Sequence, residues 1–151
     1  MNLTIKENLF QKALQFVENQ LFASKQGIEQ SQQAANEESK SSAGDKYETT
    51  RAMMQIEIEN YTKRLVEAQK SVQILQKIQF QENYSLVTMG SLVVSNQGKF
   101  FMAIGVGKVQ IDQEDFFIIS QHSPVGQQFY HKKVGDEFVL NGRKFVILEI
   151  V

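Results

Sequence analysis

The sequence predicts an α+β protein: an antiparallel two-helix coiled coil over residues 1–79, then a small domain over residues 80–151 made of one antiparallel sheet carrying a short helix. Three observations carry this reading. Up to Gln79 the chain is rich in glutamine, glutamate, lysine and alanine, lacks proline and holds glycine only at Gly27 and Gly44, whereas beyond Phe80 glycines recur among clustered β-branched and aromatic residues. Apolar residues of the first half repeat at a and d spacing on either side of a single stretch with turn chemistry. In the second half Asn141-Gly142 separates two β-rich runs, the strongest short-range hairpin signal.

Phe10, Leu14, Val17, Leu21, Ile28 and Ala35 mark the seam of the first helix, and Met54, Ile58, Tyr61, Leu65, Ala68, Val72 and Leu75 that of the second. Between them lies Ser39-Lys40-Ser41-Ser42-Ala43-Gly44-Asp45, where Gly44 suits a left-handed conformation and Asp45 suits a helix cap. Folding the chain back near residue 43 pairs Leu14 with Val72, Leu21 with Leu65 and Ile28 with Ile58, so a hairpin is expected in preference to one long helix. Its arm would reach about 45 Å at 1.5 Å per residue. Ser24 and Ser31 at d positions thin the seam towards the tip. Gln81-Glu82-Asn83 is the polar connector. Residues 86–95, 99–106, 115–120, 137–140 and 143–150 have strand patterning, and Ser123-Pro124 opens a short helix to about Tyr130, with serine as cap and proline at the first helical position.

Composition excludes several function classes. Lysine and arginine number 16 against 17 aspartates and glutamates, so the net charge of −1 offers no nonspecific grip on nucleic acid. Without cysteine there is no disulfide, thiolate zinc site or cysteine nucleophile, and two histidines, His122 and His131, exclude a multi-histidine metal cage. No apolar run approaches the roughly 20 residues of a membrane span, and Lys6, Glu7 and Lys12 interrupt the amino-terminal stretch where a secretion signal would be apolar. A soluble, cytoplasmic, monomeric protein with no membrane partner and no cofactor of its own is expected.

Asp45 and Glu48 stand three apart at a helix start. This spacing is that of a capping box, in which both charges also favour the helix N-terminus. It also places two carboxylates at the end of a long arm, where they could supply part of a magnesium shell completed by water and substrate phosphate. The other candidates have simpler explanations. His122 and His131 have no acid or nucleophile at a diagnostic spacing, and Ser123 is a helix cap. Gly105-Val106-Gly107 lacks the third glycine and following helix of a dinucleotide loop, Lys132-Lys133 sits beside a turn, and Met53-Met54 fits helix packing.

Two stretches resemble the Gre family of transcript cleavage factors, in that family's order and spacing. Gly44-Asp45-Lys46-Tyr47-Glu48 resembles the coiled-coil tip motif. Ser123-Pro124-Val125-Gly126, followed by Lys132-Lys133-Val134-Gly135-Asp136-Glu137-Phe138 and a terminal strand pair, resembles the carboxy-terminal signature. The resemblance covers nearly the whole chain. It implies an FKBP-like fold for the globular domain, which would dock at the rim of the secondary channel of bacterial RNA polymerase through Ser123, Pro124, Val125, Gly126, Phe129 and Tyr130. The coiled coil would then reach the polymerase active centre. There Asp45 and Glu48 would share a second Mg2+ with the polymerase and orient the water that cleaves a backtracked transcript, so that nascent RNA is met only indirectly. Such chemistry uses two metals flanking an in-line displacement. On this reading the protein is no enzyme itself but a cofactor in trans.

Where the family has asparagine, alanine, glutamate and tyrosine after the tip glutamate, this chain has Thr49-Thr50-Arg51-Ala52. A channel-binding regulator or inhibitor without cleavage activity is therefore the second reading. A peptidyl-prolyl isomerase ranks lower, since the pairs Phe100-Phe101 and Phe116-Phe117 fit strand packing better than an aromatic pocket. A coiled-coil chaperone ranks lowest, because the tip is polar apart from Ala43 and Tyr47.

Overall fold

The computed structural model describes residues 2–41, 45–80 and 84–151, with side chains described for 4–37, 48–80 and 84–151. Two long helices, α1 (Asn2–Ser41) and α2 (Asp45–Gln76), precede β1 (Leu92–Ser95), β2 (Gly98–Ala103), β3 (Gly107–Ile111), β4 (Glu114–Ser120), a short helix α3 (Pro124–Phe129), β5 (Glu137–Leu140) and β6 (Arg143–Ile150). The α+β class agrees with the sequence reading, and so does the element order apart from one additional strand, β3. Gly44 and the connector at 81–83 lie outside the described residues. The chain divides into two compact units, one of Met1–Phe16 with Gln73–Val151, the other of Val17–Val72.

In the helical unit, Ser31 donates its hydroxyl to Glu57 at 3.1 Å, and the Gly27 backbone faces the Tyr61 ring. Both pairs are centred on position 44, so the helices run antiparallel, one residue beyond the centre expected at 43. Small residues line this seam. Val17, Ser24, Gly27 and Ser31 are buried, and a Cβ on Gly27 would lie 2.4 Å from Tyr61 Cε1. Tyr61 thus crosses the seam where α1 has no side chain, and Arg64 stacks on its outer side at 5.2 Å.

In the other unit the helix bases carry an additional contact surface. Leu9, Ala13 and Leu75 are fully buried, while Phe10 and Leu14, expected in the seam, are half-buried. Phe10 packs edge-on against Phe80 at 5.7 Å, and Lys6, 1% exposed, lies 4.3 Å from the centre of the Tyr84 ring. Two i→i−3 bonds, from Lys77 N to Ile74 O and from Ile78 N to Leu75 O, tighten the end of α2.

The sheet has the order β3-β4-β2-β1-β6-β5 and departs from the antiparallel expectation at one pair: β2 and β4 run parallel, with Phe100 opposite Phe117 and Ala103 opposite Ser120. This follows from β3, a strand the sequence reading omits. The chain turns back after β2 to run as the edge strand β3, then returns as β4 between the two. β3 alternates exposed Lys108 and Gln110 with half-buried Val109 and buried Ile111, and its turn to β4 uses Asp112 and Gln113 at φ 51° and 66° rather than a glycine pair. The second turn, Asn141-Gly142, is the expected one, with φ 52° and 76°.

The strand expected over 86–95 is only four residues long. Ser91 is fully buried, and its hydroxyl donates to Thr88 O at 2.6 Å and accepts from Thr88 N at 3.1 Å, closing a turn before Leu92, while Gly90 N and Ser91 O still bond the backbone of Met102. Helix α3 belongs with a core of Val87, Val93, Phe100, Met102, Ile119, Phe145 and Ile147 around Phe129. Four phenylalanines, at 100, 129, 138 and 145, make mutual ring contacts of 4.8 to 6.2 Å.

Candidate functional site

At the hairpin tip, α2 opens at Asp45, the position expected of its cap or metal ligand, but the Asp45 side chain lies outside the described residues. Glu48 follows in the first turn and is exposed. Arg51 is also exposed and lines a shallow polar groove with Gln32, Asn36 and Gln55. Among the described residues no group of three or more His, Asp or Glu side chains is gathered as a metal site. A cation held here would take Glu48, with Asp45 three residues before it, and would draw its remaining ligands from elsewhere.

The second motif is built around Ser123. Its backbone is extended at φ −68° and ψ 157°, and its Oγ accepts from Gly126 N at 3.1 Å while donating to Ser120 O at 2.7 Å. Ser123 N also donates to Ser120 O at 3.1 Å, so the end of β4 and the start of α3 are clamped together. Pro124 fills the first helical position, where its missing N–H has no partner to lose. Gly126 is required by packing: a Cβ there would stand 2.0 Å from Ser120 O. Serine, proline and glycine at this spacing are therefore accounted for by local structure.

Of the six residues expected to meet a partner, Phe129 has no exposure and sits at the centre of the aromatic core, and Gly126 is buried. Any influence of these two on a partner must pass through the shape they impose. Pro124 is exposed, while Ser123, Val125 and Tyr130 are half-buried. Tyr130 stacks on His131 with ring centres 4.0 Å apart. His131 N donates to Val87 O and Val87 N to Lys132 O, both at 2.8 Å, which fixes the segment after α3. In the following turn Asp136 Oδ2 accepts from Lys133 N at 2.9 Å and leaves Val134 53% exposed. The solvent-facing part of the motif is thus Pro124, the edges of Val125 and Tyr130, His131, and the turn with Lys133, Val134, Gly135 and Glu137.

Two features escape sequence reading. Lys6 is buried against aromatic rings, and desolvation lowers its pKa from the ordinary 10.5. A lysine one turn before Leu9 and Ala13 on the same helix face is the signal that could have found it. The other is Gln121, whose Oε1 is buried with no hydrogen-bond partner among the described residues. No helix among the described residues is long and apolar enough to cross a membrane. No protein-family model and no curated protein matches this chain.

Proposed function

We propose that the chain is a transcription factor of the Gre type, which binds bacterial RNA polymerase, enters its secondary channel with the helical hairpin and promotes cleavage of backtracked transcripts through Asp45 and Glu48. The observation that carries this reading is the pair of motifs, one at the turn of a long antiparallel hairpin and one at the β4–α3 junction of the sheet unit, in the family's order and spacing. An exposed Glu48 in the first turn of α2 supports it, as does the solvent-facing surface around Pro124 and Tyr130. The tip carboxylates would supply ligands for a shared magnesium ion, and the polymerase would supply the rest of the centre.

Asp45→Asn tests the assignment, because asparagine caps a helix about as well as aspartate. If Asp45 were only a cap, the change would remove no more than a helix-dipole contribution of about 0.3 to 1 kcal/mol. The proposal requires near-normal melting and polymerase retention with a large fall in cleavage of backtracked transcripts, and similar behaviour of Glu48→Gln. Equal cleavage by wild type and Asp45→Asn would remove Asp45 from the chemistry. The second reading, occupancy of the channel without cleavage, is favoured by Thr49, Thr50 and the exposed Arg51 where the family carries a further acid. Wild-type binding without cleavage at any magnesium concentration would establish it.

A further inference from the structure

The chain holds eight asparagines, and Asn141 alone precedes a glycine. With Gly142 it forms the two-residue turn between β5 and β6, where Leu140 pairs with Arg143, and both turn residues are exposed. The Asn141 carboxamide makes no hydrogen bond to a described residue. Asn96 is the contrast. It is also exposed, but its Nδ2 donates to Lys144 O at 2.9 Å, its Oδ1 accepts from Val146 N at 2.8 Å, and Gln97 follows it. A Cβ at Gly142 would meet nothing within 4 Å, and among the described residues its N–H makes no backbone hydrogen bond. Water and base therefore reach an unheld carboxamide and the backbone N–H of the next residue.

With φ of 52° and 76°, Asn141 and Gly142 form a turn of type I′. At the ψ of about 30° that this turn gives its first central residue, Asn141 Cβ lies on the far side of the Cα–C bond from Gly142 N. Closing a ring between Cγ and that nitrogen needs ψ of about −120°, the value at the same position of a type II′ turn. Types I′ and II′ are the two turns that suit two-residue hairpins. A flip of the Asn141–Gly142 peptide plane thus reaches the reactive geometry while Leu140 stays paired with Arg143. The flipped form is strained for a residue other than glycine, which sets a barrier that an unstructured segment lacks.

We propose that Asn141 is a self-modifying site: through this flip its side chain cyclises onto Gly142 N, and hydrolysis of the ring leaves isoaspartate in the turn. A base takes the Gly142 N–H proton and the nitrogen forms a bond to Asn141 Cγ. The Cγ–Nδ2 bond then breaks, and Nδ2 leaves as ammonia with a proton returned by the base. Water opens the resulting five-membered imide. Cleavage of the N–Cγ bond gives aspartate on a normal backbone, whereas cleavage of the N–C bond carries the main chain through Cβ and Cγ and leaves the α-carboxylate as the side group. The main-chain carbonyl, beside a carbon that bears the electron-withdrawing amide nitrogen, is the more electrophilic, so isoaspartate predominates. It adds a methylene to a turn with no spare length, unpairs Leu140 from Arg143 and loosens β5, the edge strand whose Phe138 packs on Phe129 and Phe145. This chemistry does not rest on the transcription reading.

Incubation of the full chain at mildly alkaline pH, followed by ammonia release and by peptide mass spectrometry with electron-based fragmentation, tests the proposal. Expected are conversion at Asn141 with isoaspartate in excess, none at Asn96 over the same period, and a rate that urea below the unfolding transition leaves unchanged. A synthetic peptide of residues 137–146, free of the fold, should react at least tenfold faster, a factor that corresponds to about 1.4 kcal/mol. Asn141→Asp puts the same charge on a normal backbone and should melt near the wild type, while the aged isoaspartate protein should melt lower and lose amide protection in β5. Absence of conversion, a rate that climbs with urea below the transition, a peptide no faster than the folded chain, or identical melting of the aged protein and Asn141→Asp would overturn the proposal.

Discussion

At the scale of single residues, the Ser123–Gly126 motif shows how a functional signature can be a structural device. Gly126→Ala removes some unfolded-state entropy, a gain of about 0.4 to 1 kcal/mol, but drives a methyl group to 2.0 Å from a carbonyl oxygen that already accepts two bonds from Ser123. Overpacking of this kind costs about 1 to 3 kcal/mol or more. The expected outcome is a clear fall in melting temperature, whereas Pro124→Ala at the exposed first turn should change melting little; calorimetry of both variants checks this. Lys6 makes a second prediction. Its folded-state pKa is lowered by burial from 10.5, so between that lowered value and 10.5 the unfolded chain holds more protons than the folded one. Stability should therefore rise with pH across that window. Urea unfolding from neutral pH to 10.5 should show a positive slope that Lys6→Met reduces.

At the scale of elements, the helical hairpin combines weak apolar content with close approach. Its seam buries serine and glycine where a stronger coiled coil would place leucine. Gly27 in mid-helix costs about 1 kcal/mol relative to alanine, and the Tyr61 ring occupies the space that alanine would need. A double-mutant cycle separates the two effects. Gly27→Ala should stabilise a Tyr61→Ala background by about 1 kcal/mol and stabilise the wild-type background less, because the ring must move. Thermal unfolding followed by circular dichroism on the four proteins measures the difference. In the sheet, Lys108–Asp115 at 3.2 Å, Lys144–Glu137 at 3.3 Å and Lys99–Glu114 are exposed pairs that decorate the strands and contribute little to stability.

At the scale of the molecule, the helix bases belong to the same compact unit as the sheet. Lys6 lies against Tyr84, which packs on the sheet core, and Phe10 packs on Phe80. Burying a leucine-sized side chain is worth about 1.5 to 3 kcal/mol, and a domain's net stability is only about 5 to 15 kcal/mol. A fragment of residues 80–151 should consequently be much less stable than one in which residues 17–72 are replaced by a short turn, which keeps both helix bases. Cooperative urea unfolding of the second fragment at a clearly higher midpoint is the expected result. That hairpin-deleted form, rather than the 80–151 fragment, is the protein with which to ask whether the sheet unit alone retains polymerase.

The order of elements apart from β3, the hairpin fold-back and the Asn141-Gly142 turn were legible in the sequence because each depends on local chemistry: helical composition, heptad spacing, and a residue pair that accepts positive φ. The Ser123 cap was legible for the same reason, as a spacing within one helical turn. What the tertiary structure decided is non-local. The parallel β2–β4 pair depends on where β3 is placed, and β3 is a short edge strand whose alternation rests on only two apolar residues, Val109 and Ile111. The burial of Phe129, which removes it from the surface expected to meet a partner, depends on three other phenylalanines from distant strands. The place of Lys6 on the face of Leu9 and Ala13 was a signal in the sequence, but the burial of Lys6 and of Gln121 Oε1 was decided by the tertiary structure, since the cost of burying a polar group appears only when chain segments far apart close around it.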